Sequence, residues 1–170
     1  MAQLKIKGNV RIGYIYECYF GSFKHLDGEN ITSSKHEACE DDYNYRIPNE
    51  MIKKRAVVVI GKHRGQYIVV PISSTKETHK KEHKEPENTG LHTKLADEDF
   101  PETHHYMKDR DRWAKSNLVS TIDGGRLRDI YNAKIENLIV AHKVSDETLL
   151  KVRHGVFIAI GMRDSISINS

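Results

Sequence analysis

Residues 48–75, PNEMIKKRAVVVIGKHRGQYIVVPISST, carry two β-branched runs, Ala56–Ile60 and Tyr67–Ile72, on either side of Gly61-Lys62-His63-Arg64-Gly65. Valine and isoleucine are stiff at χ1 and fit a pleated, buried surface, so each run predicts a central strand. The short glycine-bounded connection lets the two pair as an antiparallel hairpin. Antiparallel pairing sets the start of one strand beside the end of the other. Glu50, Lys53, Lys54 and Arg55 lead into the hairpin, and Ser73, Ser74 and Thr75 lead out of it. A carboxylate, cations and hydroxyls therefore converge on one sheet edge, which is the composition of a phosphate site.

Working outward, residues 10–20 predict a first strand. Ile12, Tyr14, Tyr16 and Cys18 fall on one face, and Ile15 and Tyr19 on the other. Residues 21–49 are polar and aperiodic and predict a long loop. Residues 76–88, KETHKKEHKEPEN, predict a solvated charged excursion. Leu91, Thr93 and Leu95 alternate with His92 and Lys94, as a short strand would, and 97–112 reads as a further loop. Asn117–Asp123 predicts a strand closed by Gly124-Gly125, and Leu138–Ala141 a last short strand or buried lead-in. Ser145 is a helix N-cap, with Asp146 and Glu147 in the first turn. Leu149, Val152, Val156 and Ile160 recur at helical spacing before a stop at Gly161. The fold class is mainly β with a C-terminal helix (α+β), a small curled sheet or barrel.

The 170 residues fit one domain, 1–170, with insertions at about 21–49 and 76–112. A 30% charged fraction and mean hydropathy of −0.63 point to a large polar periphery. No apolar run reaches the roughly 20 residues needed to span a membrane, and no apolar signal segment opens the chain. Cys18 and Cys39 do not make a disulfide framework, so a reducing cytoplasm is expected. A net charge of +3 does not by itself establish nucleic-acid binding.

The order of these segments resembles a family. Lys53-Lys-Arg-Ala-Val-Val-Val-Ile60 followed by Val69-Val-Pro-Ile-Ser-Ser-Thr75 resembles the "R-P-V-V-V-L … P-I-T/S" core of the PemK/MazF toxins, endoribonucleases of bacterial toxin–antitoxin systems. Gly13–Phe20 resembles their opening strand. Trp113–Asp123 with Arg126-Leu127 resembles their later "T-(I/V)-D … R-L" strand, and Val144–Glu147 opens a helix where the family has one. The resemblance implies an SH3-like barrel of the PemK/MazF/CcdB type. It also implies a homodimeric, metal-independent mRNA interferase with no cofactor, acting on single-stranded RNA and neutralised by an antitoxin protein.

Cleavage by 2′-hydroxyl attack needs a base, a group that stabilises the phosphorane, and an acid for the leaving 5′ oxygen. Arg55 is the first candidate for the phosphorane, because its planar fork matches phosphate oxygens. It falls on the family's Arg, although Ala56 replaces the following Pro. Ser73 and Thr75 are candidate phosphate-binding hydroxyls; Ser73 aligns with the family's Thr/Ser. Lys115 and Asn117 occupy positions where one branch of the family has Arg and Asp as acid and base, and strand alternation predicts both on one face. An Asn amide is no general base, so Glu50, His25 and His36 are alternatives for that role. Lys53, Lys54, Asn117 and Trp113 are candidate RNA-binding residues. Trp113 and Tyr106 could stack bases, or Trp113 could simply be core. His79-Lys-Lys-Glu-His83 spells H-x-x-E-H, but no apolar helix face accompanies it, so it reads as charged loop and not as a zinc site. The chain's Trp-free end makes gyrase binding, known for relatives of this barrel, a poor fit. A catalytically silent RNA- or partner-binding member remains the alternative.

Overall fold

The computed structural model describes residues 6–20, 23–24, 30–31, 54–74, 89–103, 106–107, 110–131 and 139–165. In chain order the strands are β1 (Ile15–Tyr19), β2 (Phe23–Lys24), β3 (Asn30–Ile31), β4 (Lys54–His63), β5 (Gln66–Ser73), β6 (His92–Lys94), β7 (Trp113–Lys115), β8 (Ser120–Asp123) and β9 (Leu127–Arg128). One helix, α1 (Asp146–Ala159), follows them. The main sheet runs β6-β7-β5-β4-β1-β9, with β8 also paired to β5, while β2 and β3 form a separate small hairpin. All described pairings are antiparallel. A mostly antiparallel sheet with one C-terminal helix is the architecture expected from the sequence; among the described residues the sheet stays open.

The central hairpin is longer than its apolar runs. β4 and β5 continue to the pair His63↔Gln66, leaving Arg64-Gly65 as a two-residue turn. Both turn residues have positive φ, 45° and 81°, as the I′-type turn that matches strand twist requires. A bulge between Val59 and Gly61 shifts the register midway.

The runs are unbroken because both sheet faces are covered. On one face Ile15, Ala56, Val58, Val70, Ile72 and Ala114 pack with Leu95, Phe100 and the α1 residue Val152. On the other, Tyr16, Cys18, Val57, Val59 and Val69 pack with Ile122 and Leu127. Phe100 lies in the segment read as a polar loop, yet it is core; burying a side chain of that size contributes about 1.5–3 kcal/mol.

Three expectations need correction. The first strand is shorter than residues 10–20: it spans Ile15–Tyr19, preceded by an isolated bridge from Tyr14 to Lys143 and a turn. Asn117–Asp123 is not one strand: Ser116–Leu118 form a 3₁₀ turn between β7 and β8. The cause is close packing. Ser116 is fully buried and its Oγ donates to the Val152 carbonyl at 3.2 Å. A Cβ on Gly155 would come within 2.5 Å of that Oγ, so α1 presses the chain out of strand geometry here. Finally, Ile160 does not join the buried helix face; it is the C-cap and 59% exposed. Of the segment 138–141, Ile139 makes an isolated bridge to Tyr131, and Leu138 lies outside the described residues.

α1 starts where its sequence predicts. Ser145 Oγ accepts from the Thr148 N–H at 3.1 Å. The buried Asp99 adds a second cap from the 97–112 segment. Its carboxylate accepts from Ser145 N at 2.6 Å, from Ser145 Oγ at 3.2 Å, and from the Thr148 hydroxyl. A carboxylate at a helix N-terminus is favoured by orphan N–H groups and the macrodipole.

Candidate active site

The start of β4 and the end of β5 lie side by side, as the hairpin dictates. Continuing the register from Val57↔Pro71 sets Arg55 across from Ser73. Arg55 also pairs with Cys18 on β1, and Ser73 with Trp113 on β7. Paired residues share a face, so Cys18, Arg55, Ser73 and Trp113 form one row across four strands. The adjacent row, on the other face, is Glu17, Ala56, Ile72, Ala114 and Thr93.

A cleft of about 730 Å³, open mouth included, lies at these strand ends. Lys54, Arg55, Ala56, Ile72, Ser73 and Ser74 line it from the sheet, and Tyr106, Met107, Arg110 and Arg112 from the facing segment. Its lining thus holds four cations and no carboxylate among the described residues. Arg55 is half-buried, and burial pulls its guanidinium below the ordinary arginine value. It stays charged nonetheless, because an arginine is not deprotonated in proteins. Among the described residues it has no carboxylate partner, so its charge is available to an anion.

The facing wall is built from aromatic and arginine contacts. Phe100 and Tyr106 meet edge-on at 5.2 Å, and the Arg112 guanidinium lies 4.4 Å from the Phe100 ring centre and 5.3 Å from that of Tyr106. Arg112 also donates to the Met107 carbonyl at 3.2 Å. Tyr106 donates its hydroxyl to Glu17 Oε1 at 2.9 Å, and Lys54 Nζ lies 3.0 Å from Glu17 Oε2. Burial, then the Glu17 charge and hydrogen bond, push the Tyr106 hydroxyl well above the usual tyrosine range, with Arg112 opposing.

The sequence-predicted residues divide accordingly. Arg55, Ser73 and Lys54 come together in the cleft, with Tyr106 as its far wall. Lys115 is only 6% exposed and does not line it. Asn117 is exposed on the 3₁₀ turn, so the expected shared face of Lys115 and Asn117 is lost with the strand that would have made it. Trp113 is half-buried beside Ser73, its Nε1 buried without a hydrogen-bond partner among the described residues. Glu50, Lys53, Thr75, His25, His36, His79 and His83 lie outside the described residues. Sequence reasoning missed Glu17, Arg110 and Arg112. Glu17 stood in plain view as a charged residue within an apolar strand; the two arginines were hidden in a segment read as loop. Among the described residues no three metal-ligating side chains cluster, and no helix is long and apolar enough to cross a membrane.

Fold and strand-edge cleft define a small antiparallel-sheet protein with a cation-lined cleft at the edge of its sheet. Residues 41–157 match the family model described as PemK-like, MazF-like toxin of type II toxin–antitoxin system, and the chain belongs to that family. It is 31% identical to an uncharacterized protein of Haemophilus influenzae (strain Rd) over 151 residues, covering 88% of this chain and 89% of that one. It is 32% identical over 126 residues to the uncharacterized protein YifN of Escherichia coli (strain K12), covering 73% and 75%. Membership in a type II toxin family implies an antitoxin partner, and the toxins of this family are typically endoribonucleases.

Proposed function

We propose that this chain is an endoribonuclease of the mRNA-interferase kind, cleaving single-stranded RNA in the cytoplasm by 2′-hydroxyl attack, without a metal cofactor. The observation that carries the reading is the cleft in which Arg55 and Ser73 meet at the strand edge, lined by three further cations. A phosphodiester is the ligand such a lining recognises: Arg55 offers two parallel donors to its oxygens, and Ser73 a hydroxyl. Arg55 stabilises the charge that builds on the phosphorane, a role worth about 10²–10³-fold for one well-placed donor. Ser73 and Thr75 hold the phosphate, and Lys54 and Lys53 follow the backbone. Lys115, which is buried, supports the site from behind. The active species is a homodimer held in check by its antitoxin.

Incubating wild type and Arg55→Ala with a long single-stranded RNA in EDTA tests this. The expected result is discrete cuts with 2′,3′-cyclic phosphate ends, reduced at least about 10²-fold in the variant. RNA left intact by the wild type sinks the nuclease reading. A second reading, a silent RNA binder on the same fold, draws on Asn117, which stands where part of the family carries an acid. Salt-sensitive binding without cleavage supports that one instead.

A further inference from the structure

The cation-rich cleft poses a chemical problem: cleavage by 2′-hydroxyl attack needs a proton acceptor, and no carboxylate lines it among the described residues. Asn117 cannot take that proton. Glu17 is the carboxylate bonded directly to two members of the lining. One oxygen accepts from Tyr106 at 2.9 Å, and the other is held by Lys54 at 3.0 Å. Its side chain is only 14% exposed and does not line the cleft, whereas Tyr106 does.

We propose that Tyr106 and Glu17 form the proton relay that activates the RNA 2′-hydroxyl; this inference rests on the ribonuclease reading above. The Tyr106 hydroxyl spends its proton on Glu17, which leaves its oxygen lone pairs available to accept a hydrogen bond from RNA in the cleft. As the 2′ O–H bond breaks, its proton passes to the Tyr106 oxygen, and the proton Tyr106 already held passes to Glu17 Oε1. The 2′ oxygen forms its bond to phosphorus while the P–O5′ bond breaks, and the departing 5′ oxygen takes a proton from solvent water. Glu17 then returns its proton to solvent, and the products are a 2′,3′-cyclic phosphate and a 5′-hydroxyl. Tyr106 stays a neutral phenol before and after the step, in keeping with the environment that holds it protonated. Tyr106 is thus catalytic, and Glu17 acts through it. The 97–112 segment supplies chemistry as well as a wall.

Tyr106→Phe keeps the ring in the core and removes only the relay oxygen; Glu17→Gln keeps the shape of the carboxylate. Steady-state cleavage of a short RNA gives kcat and KM, and binding of the same sequence with 2′-O-methyl groups reports RNA affinity. Each variant is expected to lose about 10²-fold or more in kcat, with KM and analogue binding within about threefold of wild type. The double variant is expected to fall no further than the worse single, because the two groups act as one unit. Wild-type kcat in Tyr106→Phe, losses that multiply in the double variant, or losses confined to KM would overturn the relay while leaving the Arg55-dependent nuclease standing. Should Glu17→Gln fail to fold, Tyr106→Phe alone decides. A wild type that leaves RNA whole overturns relay and nuclease together.

Discussion

Cys18 lies on the buried face of β1, directly across from Arg55. Burial pushes its thiol up from 9.0 to about 12, only partly opposed by Arg126. Because the folded value is raised, this group's contribution to stability is complete below about pH 9 and is lost as pH rises toward 12. The Tyr106 hydroxyl shifts in the same direction. Denaturant midpoints should therefore fall as pH rises above 9, and Cys18→Ala should soften the fall. At pH 8, the native thiol should resist iodoacetamide until the protein is unfolded, since the thiolate is the reactive form. Strand alternation already set Cys18 on one face of the first strand, with Tyr14 and Tyr16. The sequence also brought Arg55 and Ser73 together, because hairpin register is short-range arithmetic. The fate of Lys115 and Asn117 was not legible, since it depends on how closely α1 approaches.

Local chemistry dictates the β4–β5 hairpin and α1 most directly. The hairpin turn places a non-glycine residue, Arg64, at φ 45°. Arg64→Asn would create the Asn-Gly pair that tolerates this conformation best. It is expected to raise stability by about 0.5–1 kcal/mol, read as a shift in melting temperature, without touching the cleft. At the other end of the chain, Ser145→Ala removes the helix cap and should cost about 1 kcal/mol. Gly155→Ala is expected to cost more, because its new methyl group meets Ser116 Oγ at 2.5 Å and the Leu91 carbonyl at 2.6 Å. Sequence patterning located these elements because capping residues, turn residues and apolar runs all act locally. The break between β7 and β8 is a long-range effect: Ser116 bonds to a carbonyl 36 residues away, which no window of sequence contains.

Across the whole molecule, the proposed RNA path draws charge from distant stretches: Lys54 and Arg55 from the hairpin, Arg110 and Arg112 from the facing wall. Binding of an uncleavable single strand should weaken linearly with the logarithm of salt, with a slope of about −0.7 per phosphate contact. Titrating salt against Arg110→Ala should show a slope shallower by about 0.7 if that residue meets a phosphate. An unchanged slope would remove Arg110 from the path. Family membership and overall architecture were readable from ordered strand motifs, whereas the facing wall was not, because its hold on the fold runs through single residues such as Asp99 and Phe100. The Asp99 clamp on α1 has a mechanical meaning. The helix serves as a mooring post for the stretch that bears Tyr106, Arg110 and Arg112. What looks on paper like a dispensable insertion is therefore moored to the end of the chain, and Asp99→Ala should cast it loose, so that a change at a helix tip is felt as a widened mouth where RNA would enter.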